Sequence, residues 1–317
     1  SAMPNKALEW ETSTQLDLGF DLGLFNNRLR ITTDYYKKKT TDLLYSVAVP
    51  ATSGYQTMLK NIGSIENQGY ELSIESDNLT GAFSWTTAFN IAFNRNKVLE
   101  LGGEEYKEMA EGDGHLKTGS VRRLIVGEPI GVFYGYRFDG IFQNEEECKQ
   151  QTSSASPIGV GLRRYKDLNG DGKVDAANDR EILGDANPKF FGGLTNTFAY
   201  KGFELNVFLQ YSYGNKILNY NAMELENPTG GQNAYADMVN RWTPENPSNI
   251  YPKATTNRAL LVSDRFIEDG SYLKLKTLSL SYSFPKINLK HIQGLRLYVT
   301  GQNLLTWTKY RGYDPEV

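Results

Sequence analysis

The stretch QLDLGFDLGL, residues 15–24, decides the fold class of this chain. Every even position in it is Leu or Phe, and every odd position is polar or glycine. Because successive side chains of a β-strand point to opposite faces of a sheet, the alternation predicts a strand with one apolar and one polar face. Asn26 and Asn27 follow as a turn-forming pair and predict a hairpin to the next strand.

Period-two alternation recurs along most of the chain, whereas helical periodicity is almost absent. The pattern predicts an all-β fold of about nine strands, most of them about ten residues long. The predicted strands are 16–24, 29–38, 70–75, 83–94, 132–142, 193–200, 203–213, 278–284 and 295–300.

Two architectures accommodate long amphipathic strands: a soluble sandwich, and a barrel whose apolar face contacts lipid. Strands of soluble proteins cluster at about five or six residues, whereas a tilted strand that crosses a membrane needs about nine to eleven. The predicted lengths therefore favour the barrel. Aromatic residues at the strand ends also stand where barrels carry an interfacial girdle. These residues are Trp10, Phe25, Tyr35, Tyr36, Trp85, Tyr213, Tyr282, Phe284 and Trp307.

Composition excludes several classes of function. The formal net charge of −3 indicates neither a nucleic-acid groove nor a polybasic anchor. No apolar run approaches the roughly 18 residues that a spanning helix needs. Cys148 stands in an acidic segment that raises a thiol pKa, and His115 and His291 have no second imidazole at ligand spacing. Without a pairing of nucleophile and base, or a nucleotide motif, we expect no enzyme.

The predicted connections fall into two length classes. The short ones are residues 25–27, 79–82 and 201–202, and the long ones are residues 99–121, 143–189 and 215–271. Outer-membrane barrels have short periplasmic turns and long extracellular loops. We therefore expect the long segments to face the outside of the cell, where binding residues are often found.

Several longer segments resemble the sequences of a known protein family. They include NIGSIENQGYELSIES at 61–76, GEPIGVFYGYRFDGIFQNEEE at 127–147, KDLNGDGKVD at 166–175, YLKLKTLSLSYSFP at 272–285 and LRLYVTGQNLLTWTKYRGYDPEV at 295–317. Together with residues 5–50 and 179–217, they resemble the C-terminal part of the SusC/RagA family of TonB-dependent outer-membrane transporters. The likeness runs in order along nearly the whole chain.

The resemblance implies an antiparallel transmembrane β-barrel segment, about nine strands of a larger, plugged barrel of the 22-stranded type, with long extracellular loops. It implies a multi-pass protein of a Gram-negative, Bacteroidetes-type outer membrane that imports glycans or peptides with energy from TonB. The implied partners are a SusD-like surface lipoprotein, TonB, an oligosaccharide or peptide substrate and outer-membrane lipid, but no nucleic acid. Residues 1–317 are then expected to be the C-terminal portion of the barrel, with the plug and the remaining strands outside this chain.

The segment DLNGDGKVD, residues 167–175, matches the first nine positions of an EF-type calcium loop. The twelfth position holds Asn178 instead of a bidentate carboxylate, and Asp179 follows one step later. The predicted ligands of a structural Ca²⁺ are Asp167, Asn169, Asp171, Lys173, Asp175 and Asp179. Lys173 would contribute its backbone carbonyl. An Asp, Asn and Gly turn without metal has the same composition, so that alternative stays open.

Other polar and aromatic residues admit two interpretations each. Carboxylates on the predicted polar faces either line a hydrated lumen, which is favoured, or form catalytic pairs; they are Asp17, Asp21, Glu71 and Glu75. Rings in the long loops either contact sugars or peptides, or pack against each other or a lipoprotein; they are Tyr220, Tyr235, Trp242 and Tyr251. The leading hypothesis is a nutrient importer. The alternative is a soluble, calcium-stabilised β-sandwich that serves as a carbohydrate-binding module or adhesin.

Overall fold

The computed structural model describes residues 2–109, 119–227, 233–256, 260–284 and 294–316, so His115 and His291 lie outside the described residues. The chain divides into two compact units. Unit 1 comprises residues 1–104, 187–215 and 270–309, and unit 2 comprises residues 105–186, 216–269 and 310–317.

Strands dominate the described residues. They are β1 (Ala2–Met3), β2 (Thr12–Leu24), β3 (Leu29–Thr41), β4 (Leu44–Ala48), β5 (Thr57–Asn61), β6 (Ser64–Leu79), β7 (Phe83–Glu100), β8 (Tyr106–Glu108), β9 (Arg122–Ile125), β10 (Val132–Tyr136), β11 (Phe138–Ile141), β12 (Thr152–Ser153), β13 (Arg163–Tyr165), β14 (Lys173–Val174), β15 (Arg180–Asp185), β16 (Phe190–Tyr200), β17 (Phe203–Tyr213), β18 (Lys216–Leu218), β19 (Ile267–Asp269), β20 (Tyr272–Phe284) and β21 (Leu295–Thr308). The α-helices are α1 (Glu145–Lys149) and α2 (Tyr220–Leu225), and short 3-10 helices lie at Ala51–Ser53, Ala236–Asn240 and Asp264–Phe266. None of the helices in the described ranges is long and apolar enough to cross a membrane.

Unit 1 is built on one eight-stranded antiparallel sheet. Its strand order is β2-β3-β6-β7-β16-β17-β20-β21, so each long strand pairs with the long strand before it in the chain. The eight strands have 11 to 18 residues each, which is the length class predicted for tilted strands that cross a membrane. A small sheet of β1, β5 and β4 completes the unit. The predicted all-β, antiparallel fold class is confirmed.

Short connections gather at one end of this sheet, because neighbouring strands are antiparallel. Residues 25–28, 80–82 and 201–202 join the hairpins there. Lys201 and Gly202 have φ of 46° and 88°, the two positive values of a tight two-residue hairpin turn whose twist matches that of the strands. The chain leaves the opposite end of the sheet for the much longer connections 42–63, 101–189 and 214–271.

The register places apolar side chains in continuous rows on one face of the sheet. One such row runs across all eight strands and consists of Leu22, Ile31, Ile74, Phe89, Leu194, Leu209, Leu275 and Leu305. On β7 the apolar face extends from Phe83 to Phe93, ten residue steps, or about 34 Å along the strand. At a tilt of about 40° this length corresponds to a band about 25 Å tall, the height of the lipid-facing band of outer-membrane barrels.

Aromatic pairs border this band at both ends, as the predicted girdle requires. Near the short turns, Phe203 and Tyr282 have ring centroids 4.5 Å apart, and at the other end the centroids of Tyr35 and Tyr70 are 4.8 Å apart. Tyr36 does not belong to the girdle. It pairs with residues of the polar face, and its ring lies over Gly69, where the hydroxyl oxygen is 2.6 Å from the position that a Cβ would occupy.

A short polar seam crosses the apolar face on β6, β7 and β16. The Oγ1 of Thr87 donates to the Oδ1 of Asn196 at 2.7 Å and accepts from the Nδ2 of Asn78 at 2.7 Å. The Nε1 of Trp85 also donates to the Oδ1 of Asn196, at 2.9 Å. Because polar groups in hydrocarbon are costly unless they are hydrogen-bonded, the seam is tolerated as a connected network.

The apolar face of the sheet is uncovered in the described part of the chain. Leu18 and Phe20 are each 59% exposed, and Val299 is 77% exposed. A sandwich buries such residues against a second sheet, so the β-sandwich alternative is wrong. Exposing an apolar face of this extent to water is unfavourable. Contact with lipid removes this cost, because hydrocarbon then covers the apolar side chains.

Unit 2 has conventional buried cores. A four-stranded sheet of β15, β10, β9 and β8 is accompanied by three two-stranded ribbons. The main core is formed by Val121, Phe133, Leu183, Leu218, Ala222, Met223, Leu260, Val262 and Phe266. The segment 132–142, predicted as one long amphipathic strand, is instead split between β10 and β11 of this unit. Both faces of this segment are buried, since Val132, Phe133, Ile141 and Phe142 all have little exposed surface. The prediction of one amphipathic strand here was therefore wrong.

Replacing Leu278 with Arg tests the assignment of the faces. Leu278 lies inside the apolar band, so the charge is expected to lower the free energy of unfolding in lipid vesicles by about 2–4 kcal/mol, the cost of a cation near the bilayer midplane. Its neighbour Ser279 points to the polar face, where its hydroxyl contacts that of Thr300 at 2.8 Å. The matched variant Ser279→Arg should cost much less. Equal losses in guanidinium unfolding of the two variants would contradict the assignment.

Candidate functional site

The polar face of the sheet contains an open groove with a volume of about 600 Å³. It lies across β2, β3, β6 and β7, because the side chains that line it occupy paired positions of those strands. The lining residues are Gln15, Asp17, Asp34, Tyr36, Lys38, Asn67, Glu71 and Asn94. Three carboxylates against one ammonium give the groove an excess of negative charge.

Two residues of this groove differ in how their polar atoms are satisfied within the protein. The Oδ1 of Asn94 is buried and has no hydrogen-bond partner in the described part of the chain. Asp17 is held by the side-chain amide of Gln15 at 2.8 Å, so one groove carboxylate is fixed in place. A concave surface of carboxylates, amides and a phenol suits molecules rich in N–H and O–H donors, such as peptides and oligosaccharides.

The four carboxylates predicted for the polar faces separate into two pairs. Asp17 and Glu71 line the groove, as expected for a hydrated face. Asp21 accepts a hydrogen bond from the hydroxyl of Thr32 at 2.6 Å, and Glu75 forms an ion pair with Arg30 at 2.9 Å. The favoured interpretation, a row of polar side chains along the lumen face, agrees with this placement.

The predicted calcium loop is closed by main-chain hydrogen bonds to its own carboxylates. The Oδ1 and Oδ2 of Asp167 accept from the amides of Gly170 and Gly172, both at 2.7 Å. The ammonium of Lys173 lies 3.1 Å from Asp175, and this hydrogen bond lowers the pKa of that carboxyl. The structure thus brings the six predicted ligands into one loop between β13 and β15.

Asp179 closes this loop from a fully buried position. Its Oδ1 accepts from the amide of Leu168 at 2.8 Å, and its Oδ2 accepts from the amide of Asp175 at 2.7 Å. Within the residues that the structure describes, no group of three or more His, Cys, Asp or Glu side chains is arranged to hold a metal ion. The Ca²⁺ assignment therefore stays a prediction, and the loop has a hydrogen-bonded closure of its own.

The variant Asp179→Ala is expected to open this loop, because it leaves the amides of Leu168 and Asp175 without their acceptor in a buried setting. Hydrogen–deuterium exchange of residues 167–175 should accelerate at least tenfold. Asn178→Ala, which changes an exposed neighbour, is the matched control and should leave exchange unaltered. Unchanged protection in Asp179→Ala would show that its carboxylate does not close the loop.

The rings predicted for the long loops are used in packing within unit 2. Tyr220 and Tyr235 pack against the main core. The Nε1 of Trp242 donates to the Oε1 of Gln143 at 3.1 Å, and the guanidinium of Arg265 lies 5.2 Å from the ring centroid of Tyr251. Of the open alternatives for these rings, contacts inside the loops account for the positions observed.

A buried ion-pair cluster ties distant segments of unit 2 together. Glu226 is fully buried at the end of α2, and its two oxygens are bound by Arg265 at 2.5 Å and by Arg311 at 3.0 Å. Arg311 also pairs with Glu268 of β19 at 2.7 Å. The backbone carbonyl of Glu226 accepts from Arg163 at 3.1 Å. The cluster connects four segments that are remote in sequence.

Sequence reasoning missed this cluster. Glu226 and Arg311 are 85 residues apart, and nothing in their local patterns relates them. The available signal was the resemblance itself, because KYRGYDPEV contains Arg311 and lies beyond the last predicted strand. A charged residue in a family-like segment without strand periodicity was a candidate for a tertiary contact.

Replacing Glu226 with Gln tests the cluster. Removing one partner of a buried ion pair leaves cations without compensation and typically costs about 3–5 kcal/mol. We expect faster hydrogen exchange in residues 216–226 and 310–316 of the variant protein. Glu245 is exposed, so Glu245→Gln is the matched control and should leave exchange unchanged. Normal protection in Glu226→Gln would mean that the cluster does not hold these segments.

Two further features of unit 2 are poorer candidates for a binding or catalytic site. A cavity beside Arg163, Tyr165 and Leu261 has a volume of about 60 Å³, which is too little for an oligomeric ligand. Burial, together with the charges of Glu145 and Glu147, raises the pKa of the Cys148 thiol, which opposes formation of a reactive thiolate. The groove on the polar face is therefore the better candidate site.

Comparison with known proteins gives a consistent result. A family model described as "TonB dependent receptor-like, beta-barrel" matches residues 1–304. TonB-dependent receptor P3 of Formosa agariphila is 42% identical over 315 residues, which cover 98% of this chain and 31% of the relative. TonB-dependent receptor SusC of Bacteroides thetaiotaomicron is 29% identical over 327 residues, or 99% of this chain and 30% of the relative.

Solved structures of the RagAB peptide transporter resemble the chain throughout its length. One of them superposes with a TM-score of 0.81 at 27% sequence identity and covers 100% of this chain and 34% of the compared chain. A second, of the RagAB peptide importer in an open-open state, gives 0.81 at 26% identity, with 100% and 33% coverage. The chain spans about a third of the length of the curated relatives it matches.

Proposed function

The chain belongs to the TonB-dependent receptor β-barrel family, and from this premise we propose that it forms wall and loops of an energised importer of peptides or oligosaccharides. Proteins of the SusC and RagA type are β-barrels of the outer membrane, which is the location of this protein.

One observation carries the proposal: the eight-stranded sheet is apolar on one uncovered face and polar on the other. Only a sheet between hydrocarbon and an aqueous lumen needs this arrangement on strands of such length. The first and last strands, β2 and β21, each pair with a long strand on one side only in the described residues. Unpaired backbone groups cost several kcal/mol each in lipid, so we propose that further strands and a plug complete the barrel.

The polar groove supports the assignment of cargo. Its carboxylates and amides can bind the donors of peptide bonds or sugar hydroxyls as cargo passes. Peptides are the first candidate, because the solved transporters that superpose at TM-scores of 0.79 to 0.81 are named as peptide transporters or importers. Oligosaccharides are the second, because the groove offers the same hydrogen bonds to hydroxyl groups.

The partners follow from the same premise. We propose that a SusD-like surface lipoprotein covers the extracellular side and that TonB supplies energy from the periplasm. The RagAB structures are of a two-component transporter by name, which supports a lipoprotein partner of this kind. The internally packed loops of unit 2 offer such a partner a surface held in place by its own core and ion-pair cluster. No covalent chemistry is required of the chain.

Uptake by living cells tests the proposal. Deletion of the gene should abolish uptake of fluorescent peptides or oligosaccharides of about five units, and a protonophore should do the same in cells that keep the gene. Within the groove, Asp34→Asn combined with Glu71→Gln should reduce uptake of cationic peptides several-fold. Asp21→Asn, on the same face outside the groove, is the matched control.

Two results would contradict the proposal. Uptake that continues in the deletion strain would show that another protein carries the cargo. Uptake that continues without a proton-motive force would show that the barrel is a passive pore.

A further inference from the structure

The lipid-facing side of the sheet does not end with its aromatic girdle. Tyr35, Tyr70 and Phe93 form the last aromatic row of this face. In the next row, two residues further along each strand, Lys37 of β3 and Arg95 of β7 lie on either side of Gln68. The next row on the same face consists of Lys39, Glu66 and Lys97. We call these four cations, Lys37, Lys39, Arg95 and Lys97, the basic patch.

The basic patch is exposed and has more positive than negative charge. All four side chains lie in exposed positions. Glu66 is the one acidic residue in these two rows, and it pairs with Lys37 at 3.1 Å. Four cations and one anion leave a net charge of +3. Three of the cations, Lys39, Arg95 and Lys97, form no ion pair within the residues that the structure describes.

The height of the basic patch matches that of lipid phosphates. Two residues separate each row from the next, about 6.8 Å along the strand and about 5 Å in height at the tilt of barrel strands. The cations therefore lie about 5–10 Å beyond the aromatic rings, which mark the boundary of the hydrocarbon. They also lie at the end of the sheet from which the long connections depart, the extracellular end in outer-membrane barrels.

We propose that the basic patch binds the phosphate groups of a phosphorylated glycolipid in the outer leaflet. Phosphate oxygens are the acceptors that Lys and Arg bind best, and cations at a membrane surface gain affinity for anionic headgroups. The lipid acyl chains would lie against the apolar rows just below. The binding would anchor β3, β6 and β7 in the membrane beside the groove. This inference does not depend on which cargo is transported.

The test uses the protein purified from outer membranes and placed in nanodiscs of phosphatidylcholine. The probes are monophosphoryl lipid A, the same lipid A without phosphate, and phosphatidylglycerol, each measured by native mass spectrometry of the bound lipid. We expect monophosphoryl lipid A to bind at least tenfold more tightly than either comparison lipid. Equal binding of the dephosphorylated form, or equal binding of phosphatidylglycerol, would overturn the proposal.

Charge variants give independent arms of the same test. Lys39→Gln combined with Lys97→Gln should weaken binding about 25-fold, about fivefold for each cation removed. Glu66→Gln should tighten it, because it removes the anion that competes for Lys37. Lys38→Gln is the matched control, since Lys38 lies between the two patch residues of β3 but points to the opposite face. An equal loss in Lys38→Gln, or no loss in the double variant, would overturn the proposal.

Discussion

The structure depends on one constraint: in hydrocarbon, every backbone N–H and C=O group must find a partner within the protein. A continuous antiparallel sheet meets this requirement along eight strands of 11 to 18 residues. Once the backbone groups are hydrogen-bonded, the side chains of each strand alternate between the two faces of the sheet, so apolar and polar residues are separated. Leu and Phe rows face outward, and carboxylates and amides face the groove. The length of the strands, the aromatic borders and the exposed apolar side chains all follow from this solution.

The same constraint separates the roles of the two units. The sheet of unit 1 has almost no buried apolar core, since Val98 and Leu101 are its buried hydrophobic residues in the described ranges. Unit 2 is organised in the opposite way, with Phe266 and Met223 fully buried and charges paired beneath the surface. One unit takes its stability from backbone pairing and the surrounding lipid, and the other from an ordinary hydrophobic core. Loops with a core of their own can present a fixed surface to ligands.

Sequence periodicity predicted the sheet well because each strand contacts two different solvents, and eight of the nine predicted strands lie in it. It failed at residues 132–142, where both faces are buried and alternation loses its meaning. The sequence pattern also assigned Tyr36 to the aromatic girdle, whereas its ring lies on the polar face and covers Gly69. The groove residues Asp17 and Glu71 were predictable from their face. The pairing of Glu226 with Arg311 was not predictable, because the two residues are far apart in the chain and no local pattern relates them.

The central claim is that alternate residues of each long strand contact lipid and water. Nitroxide labels at positions 203–213 of β17, one at a time in the protein reconstituted into lipid vesicles, test it most directly. Molecular oxygen concentrates in hydrocarbon, and a nickel chelate concentrates in water. The account predicts that odd positions relax with oxygen and even positions with nickel, with a period of two along the strand. Accessibility to one reagent alone, or a profile without this period, would contradict it.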